Sequence, residues 1–211
     1  MRIAIDGPAA SGKTSVGRAL ARRFGLRFVE TGRMYRAVAL GLARGKGLGE
    51  IDVTVTVDER ILLNGEDVTD ALHTPTLDQA SSQVATRADV RERMVAAQRA
   101  LARSEGVVME GRDIGTVVLP DAEVKLFLQA SPETRAERRA AERGEDDIEE
   151  TLVELRVRDE RDSTRAIAPL NAAWDAITIH TDRKTLEAVI REAVDLVKER
   201  LEERCHGYEA S

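Results

Sequence analysis

The sequence predicts an α/β protein built on a doubly wound, five-stranded parallel sheet, with a small antiparallel lobe inserted into it and a short helical lid. Three observations carry this. Short apolar runs alternate with stretches of helical periodicity. The first run leads through a glycine loop straight into a helix. Residues 51–70 then break the pattern with period-two alternation.

"RIAID" (2–6) reads as a buried parallel strand, and "KTSVGRALARRFG" (13–25) as a helix closed by Gly25. "RFVE" (27–30) is a second strand, followed by "TG" and a helix from about Arg33 to Arg44, which completes a βαβ unit. The 51–70 stretch carries the turn pair Asn64-Gly65 and reads as an antiparallel insertion. Helical patterns return at 75–86 and 88–104, and "GVVME" (106–110) and "EVKLFLQ" (123–129) are further strands. Ser131, Pro132 and Gly144 start and stop a helix over 131–144. Residues 148–163 are helical and dense in charge, "AITIHT" (176–181) is the last strand, and 184–204 the last helix. The expected division is a core of 1–36, 87–130 and 165–211, an insertion of 37–86 and a lid of 131–164.

"GPAASGKT" (7–14) matches G-x-x-x-x-G-K-[ST] in full, with a strand before it and a helix after it. Gly7 and Gly12 allow the angles that turn the N–H groups of Pro8–Ser15 inward around a phosphate, Pro8 itself excepted because it has none; Ala9, Ala10 and Ser11 lie between. The helix N-terminus adds partial positive charge. Lys13 can reach the β- and γ-phosphates of ATP, and Thr14 can ligate magnesium.

The loop does not name the reaction. No Asn-Lys-x-Asp guanine motif is present, which argues against a switch GTPase. The net charge of −6 gives no support to a polynucleotide-tracking motor, a general nucleic-acid binder or an anionic-membrane binder. A chain of 211 residues holds one core with small inserted lobes. Cys205 is the sole cysteine, so no internal disulfide and no cysteine-built metal site is expected. Too few apolar residues precede Asp6 for a signal peptide, and no run is long enough to span a bilayer, so a cytoplasmic monomer is expected. Only five of the 32 basic residues are lysine, which leaves 27 arginines; genomic bias or heat adaptation accounts for most.

A small kinase also needs a second anion site, built mostly from arginine, facing the loop. Three stretches could supply it: "TGRMYR" (31–36) and "EGRDIGTVVLPD" (110–121), each following a strand at the carboxyl edge of the sheet, and "RDERDSTR" (158–165). Arg158, Arg161 and Arg165 share one helical face if the helix persists, with Asp162 on the same stripe; the competing reading is a solvated, salt-bridged helix.

Taken together, the loop, "ETGRMYRAVAL", "ASSQVA", "VRERM", "EGRDIGTVVLPDA" and "RDERDSTRAIAPL" resemble bacterial cytidylate kinase from residue 2 to about 181. The resemblance implies ATP- and magnesium-dependent phosphorylation of CMP and dCMP. It places the acceptor nucleotide on Thr31, Tyr35, Arg36, Ser82, Arg91, Arg112, Asp113, Arg158, Asp162 and Arg165. Thr31 replaces the family's usual Ser and keeps the hydroxyl; Thr14 stands where some members have Gly, so the magnesium ligand is Thr14 or Ser15, with Thr14 favoured by spacing.

The chemistry agrees with this carry-over. Asp113 with Ser82 can take the cytosine amino group, and Arg91 can donate to the ring acceptors. Arg36, Arg112 and Arg165 suit the 5′-phosphate and Asp162 the ribose hydroxyls. Lys13, Arg158, Arg161 and Arg165 would spread over the charge that develops during transfer. Glu110 either orders the waters of magnesium or is structural. The arginines of 135–143 belong either to a lid closing on ATP or to a solvated helix. His73, His180 and His206 read as ordinary, and Trp174 as packing. The rivals are a uridylate-cytidylate or shikimate-type kinase and a non-catalytic ATP-sensing module.

Overall fold

The computed structural model describes residues 1–104, 106–144 and 146–209. Its main sheet contains β1 (Arg2–Asp6), β2 (Arg27–Glu30), β6 (Val107–Gly111), β7 (Val124–Gln129) and β8 (Ile177–His180), all parallel, in the order β2-β6-β1-β7-β8. The strands are apolar on both faces because helices cover both. In β1, Ala4 joins a cluster with Met34, Val38, Val107 and Met109 on one side. Ile3 and Ile5 join Val16, Leu20, Val108 and Leu126 on the other. That is the two-residue side-chain period of a strand, read out as two separate cores.

The first core is closed by α2 (Thr31–Ala43) and α4 (Ala88–Ser104), the second by α1 (Lys13–Phe24) and α7 (Leu186–Glu209). Gly25 ends α1 in the left-handed region and donates its N–H to Ala21 O, as its position implies. The helix after β2 begins earlier than expected. Thr31 and Gly32 form its first turn instead of a connecting loop, directly after Glu30, which stands extended at the N-cap position.

Residues 51–70 form the expected antiparallel lobe of β3 (Val53–Val55), β4 (Ile61–Leu63) and β5 (Glu66–Asp67). Asn64 (φ 51°) and Gly65 (φ 83°) make the tight β4–β5 turn. The lobe lays Ile51, Val55, Ile61 and Leu63 onto α2 and leads into α3 (Pro75–Val84), which Thr74 caps by accepting from Leu77 N. Helices α5 (Pro132–Arg143) and α6 (Ile148–Thr164) pack on each other. Ser131 and Gly144 cap α5 as expected.

Trp174 does not pack: it is 96 % exposed and lies away from the carboxyl edge of the sheet. Arg165 lies just past the end of α6 with extended ψ (140°), so the helical stripe stops before it. The readings of Cys205 and His206 concern side chains outside the described residues.

Candidate active site

The chain leaves β1 toward β2 at one edge of the sheet and leaves β7 toward β8 at the other, so a crevice opens above the carboxyl end of β1, where doubly wound sheets hold ligands. The glycine loop spans that opening. Gly7 sits at φ 147°, and a Cβ there would come within 2.2 Å of the Leu128 carbonyl on β7. Gly12 sits at φ 94° as the N-cap of α1. Only glycine takes both positions without strain. Between them even Ala10 is held at φ 58°, which curls the loop into a cradle at the helix N-terminus.

Lys13 is buried, and its ammonium donates to Pro8 O at 2.6 Å within the loop. Its next anionic neighbour is Glu110 at 4.0 Å. Thr14 Oγ1 donates to Glu110 Oε1 at 2.8 Å, and Thr31 Oγ1 donates to Glu110 O at 2.7 Å. Burial pulls Lys13 well below the ordinary lysine range, with nearby Arg112 adding to the effect; burial likewise lifts Glu110 above the carboxylate range. Each is partly held by the other's charge.

One cleft is lined by residues of the loop and by most of the arginine-bearing stretches. Gly12, Lys13, Thr14, Ser15, Thr31, Tyr35, Arg36, Ser82, Arg91, Arg112, Asp113, Arg158, Asp162 and Arg165 all face it, as do Ala9 and Ala10. Gly7, Pro8 and Ser11 belong to the loop but do not line the cleft. Arg161 lies outside the cleft and donates weakly to Gln79 at 3.5 Å, so the structure does not bring it to the site. The cleft has seven cationic side chains against five anionic ones, an excess that suits an anionic ligand on an acidic protein.

Four carboxylates organise those arginines. Asp162 accepts from Ser82 Oγ at 3.1 Å and from Arg112 Nε at 2.9 Å, with Arg158 at 4.0 Å. Burial opposes its ionisation, but Arg112 and Arg158 outweigh that and hold it below the ordinary range. Asp113 accepts from Arg91 and, at 3.3 Å, from Arg165; Arg165 also donates to Ala168 O at 2.6 Å. Ser82 therefore sits with Asp162, while Asp113 sits with the two arginines. Arg36 donates to Glu30 at 3.2 Å and to Asp78 at 2.8 Å.

Two organising residues carry no motif. Asp6, at the end of β1, is 2 % exposed and accepts from Ile114 N at 2.8 Å and Gly115 N at 2.7 Å, so it pins the turn that carries Asp113. Its place directly before the loop was the available signal. Asp78 had none beyond its position in the first turn of a helix.

Burial pushes Asp6 up to about 6, although the two N–H bonds work against it. Between about pH 4 and 6 the folded protein therefore holds a proton that the unfolded chain has released. Asp6 thus contributes less to stability as pH rises through that window. The stability of Asp6→Asn relative to the parent chain is expected to improve by up to about 3 kcal/mol from pH 4 to pH 7, measured by urea unfolding. Parallel stability curves would return Asp6 to an unshifted carboxyl.

Residues 3–199 match the family model described as cytidylate kinase. The chain is 46% identical to a cytidylate kinase of Mycobacterium leprae, over 94% of this chain and 96% of that one. It is 43% identical to a cytidylate kinase of Geobacillus sp., over 95% and 98%. The chain belongs to the cytidylate kinase family. A gluconokinase structure from Sinorhizobium meliloti shares its fold, with a TM-score of 0.54 at 21% identity over 98% of this chain and 96% of that one. Membership of the cytidylate kinase family bears out the resemblance read from "GRDIGTVV" and "RDERDSTRAIAPL" and the fold expected of it. Among the described residues no helix is long and apolar enough to cross a membrane.

Proposed function

We propose that this chain transfers the γ-phosphoryl group of ATP to CMP, and also to dCMP, in the cytoplasm and as a monomer. The observation that carries the reading is a single cleft whose one wall is the Lys13 loop and whose other wall is a set of arginines ordered by Asp113 and Asp162. A phosphate-binding loop alone fits many ATP users, but a second cationic site opposite it fits a phosphoryl acceptor that is itself an anion.

Residues 7–15 cradle the ATP phosphates, with Lys13 as the mobile point charge. It exchanges its internal partner, Pro8 O, for phosphate oxygen. Arg36, Arg112 and Arg165 take the CMP phosphate, helped by Thr31 and Tyr35. Asp162 and Arg158 take the ribose, and Asp113, Arg91 and Ser82 the base. The charge of transfer spreads over Lys13, Arg158 and Arg165, and over Arg161 if α6 turns on closure. Residues 37–86 serve as the monophosphate lobe and 131–164 as the lid, on a core of 1–36, 87–130 and 165–211.

A hydroxyl and a carboxylate 2.8 Å apart beside the loop, Thr14 and Glu110, fit magnesium, which takes one or two protein oxygens and completes its shell with water and phosphate. Bound there, magnesium supplies charge neutralisation on the phosphates. Thr14 would hold the ion directly and Glu110 through water.

The test is ADP release with CMP, dCMP, UMP, AMP or shikimate as acceptor. CMP and dCMP are expected to support turnover, with UMP at least about tenfold poorer in kcat/KM. ADP release driven equally well by shikimate or AMP would refute the reading. Binding of ATP with no acceptor-dependent release would make the chain an ATP sensor.

A further inference from the structure

Asp78 lies on α3, inside the insertion, yet its partners come from across the molecule. Its carboxylate accepts from Arg36 on α2 at 2.8 Å, from Arg139 on α5, and from Arg143 on α5 at 3.4 Å; Arg158 on α6 stands 4.0 Å away. Four guanidiniums thus surround one carboxylate that is only 5 % exposed. Each guanidinium also has a carboxylate of its own, Glu30 for Arg36, Glu142 for Arg139, Glu154 for Arg143 and Asp162 for Arg158, but Asp78 is the one that all four share. Burial, with neighbouring guanidiniums adding to it, pushes both Arg139 and Arg158 down, although Glu142 and Asp162 work against the shift.

The position of Asp78 matters as much as its partners. Arg36, Arg139 and Arg158 line the cleft; Asp78 stands behind its wall. It holds three of the arginines that line the cleft, and it ties the insertion to α5 and α6.

We propose that Asp78 is an internal substitute for a substrate phosphoryl group: a positioning residue that gathers Arg36, Arg139 and Arg158 into one cluster, competes with nucleotide phosphate for them and gives them up when it binds. The geometry supports each part. A phosphoryl group offers three oxygens and more than one negative charge, so it satisfies more of the cluster than a carboxylate does. Losing the Asp78 contacts also frees α5 and α6 to move relative to α3, since these contacts bridge the two. The inference rests on the phosphoryl-transfer reading, and its first test does not need CMP.

Asp78→Asn keeps the shape and removes the charge. Its melting temperature in chloride buffer is expected to fall by about 5–10 °C, because buried guanidiniums lose the counter-charge they share. Millimolar sulfate is expected to restore more of that loss than it adds to the parent protein, since a tetrahedral dianion fits the cleared site. KM for CMP is expected to fall about threefold to tenfold, because binding no longer works against the internal partner, while kcat changes less.

Arg143→Gln removes an Asp78 partner outside the cleft and serves as the second variant. KM is expected to fall in the same direction by about twofold. An unchanged or raised KM in either variant, or a sulfate response equal to that of the parent protein, would overturn the proposal and make Asp78 a plain structural brace. A parent protein inert toward CMP would sink the kinase reading but leave the sulfate comparison standing.

Discussion

Lys13→Ala is expected to abolish nearly all phosphoryl transfer, a loss of about 3 kcal/mol or more of transition-state stabilisation, while the protein stays folded. The ammonium is buried in the loop, 2.6 Å from Pro8 O. Its nitrogen is therefore already held beside the loop when phosphate arrives, and no other lysine lines the cleft. The arginines that line the cleft lie outside the glycine loop, so none takes the place of Lys13.

Folding should survive because Lys13 is the first residue of α1, where alanine is a good helix former, and because the variant no longer buries a cation. The check is kcat/KM for ATP and CMP beside the thermal melt. Near-normal turnover in a folded variant would mean that the loop does not hold the donor phosphates.

The parallel sheet was legible because its strands are short apolar runs separated by helical periods, and the lobe because its period is two. The loop was legible because its backbone demands glycine at two fixed places, Gly7 and Gly12. Elsewhere local rules gave way to tertiary context. "TG" after β2 looks like a break, yet Thr31 and Gly32 form the first turn of α2 directly after Glu30, which stands extended at the N-cap position. A lone tryptophan usually packs, but Trp174 lies in solvent. The spacing of Arg158, Arg161 and Arg165 assumed a continuous helix. The structure ends α6 at Thr164 and turns Arg161 toward Gln79, so Arg158 and Arg165 reach the cleft by different routes. Asp78 was invisible because two of its partners, Arg139 and Arg143, lie 61 and 65 residues away. No periodicity reports a contact of that separation.

Asp113→Asn is expected to lower kcat/KM for CMP by about tenfold to a hundredfold and to narrow the CMP-to-UMP ratio, while KM for ATP changes little. Asp113 is buried, and its turn is fixed by Asp6 through Ile114 N and Gly115 N. An ionised carboxylate offers about four acceptor positions. Arg91 and Arg165 use two, one on each oxygen, which leaves acceptor capacity for the cytosine amino group. Uracil would bring its O4 to the same carboxylate, so two acceptors would meet where little water can separate them. A buried group left unpaired costs about 1–3 kcal/mol, more when charged, which sets the expected discrimination. In the variant the amide can turn either its oxygen or its nitrogen to the ring, so it accepts from cytosine or donates to uracil. It also leaves Arg91 and Arg165 without their counter-charge, which accounts for the loss with CMP beyond the loss of selectivity. The measurement is a full kinetic set on CMP and UMP for both proteins. If the parent enzyme uses UMP as readily as CMP, or if the variant leaves the ratio untouched, Asp113 does not read the base.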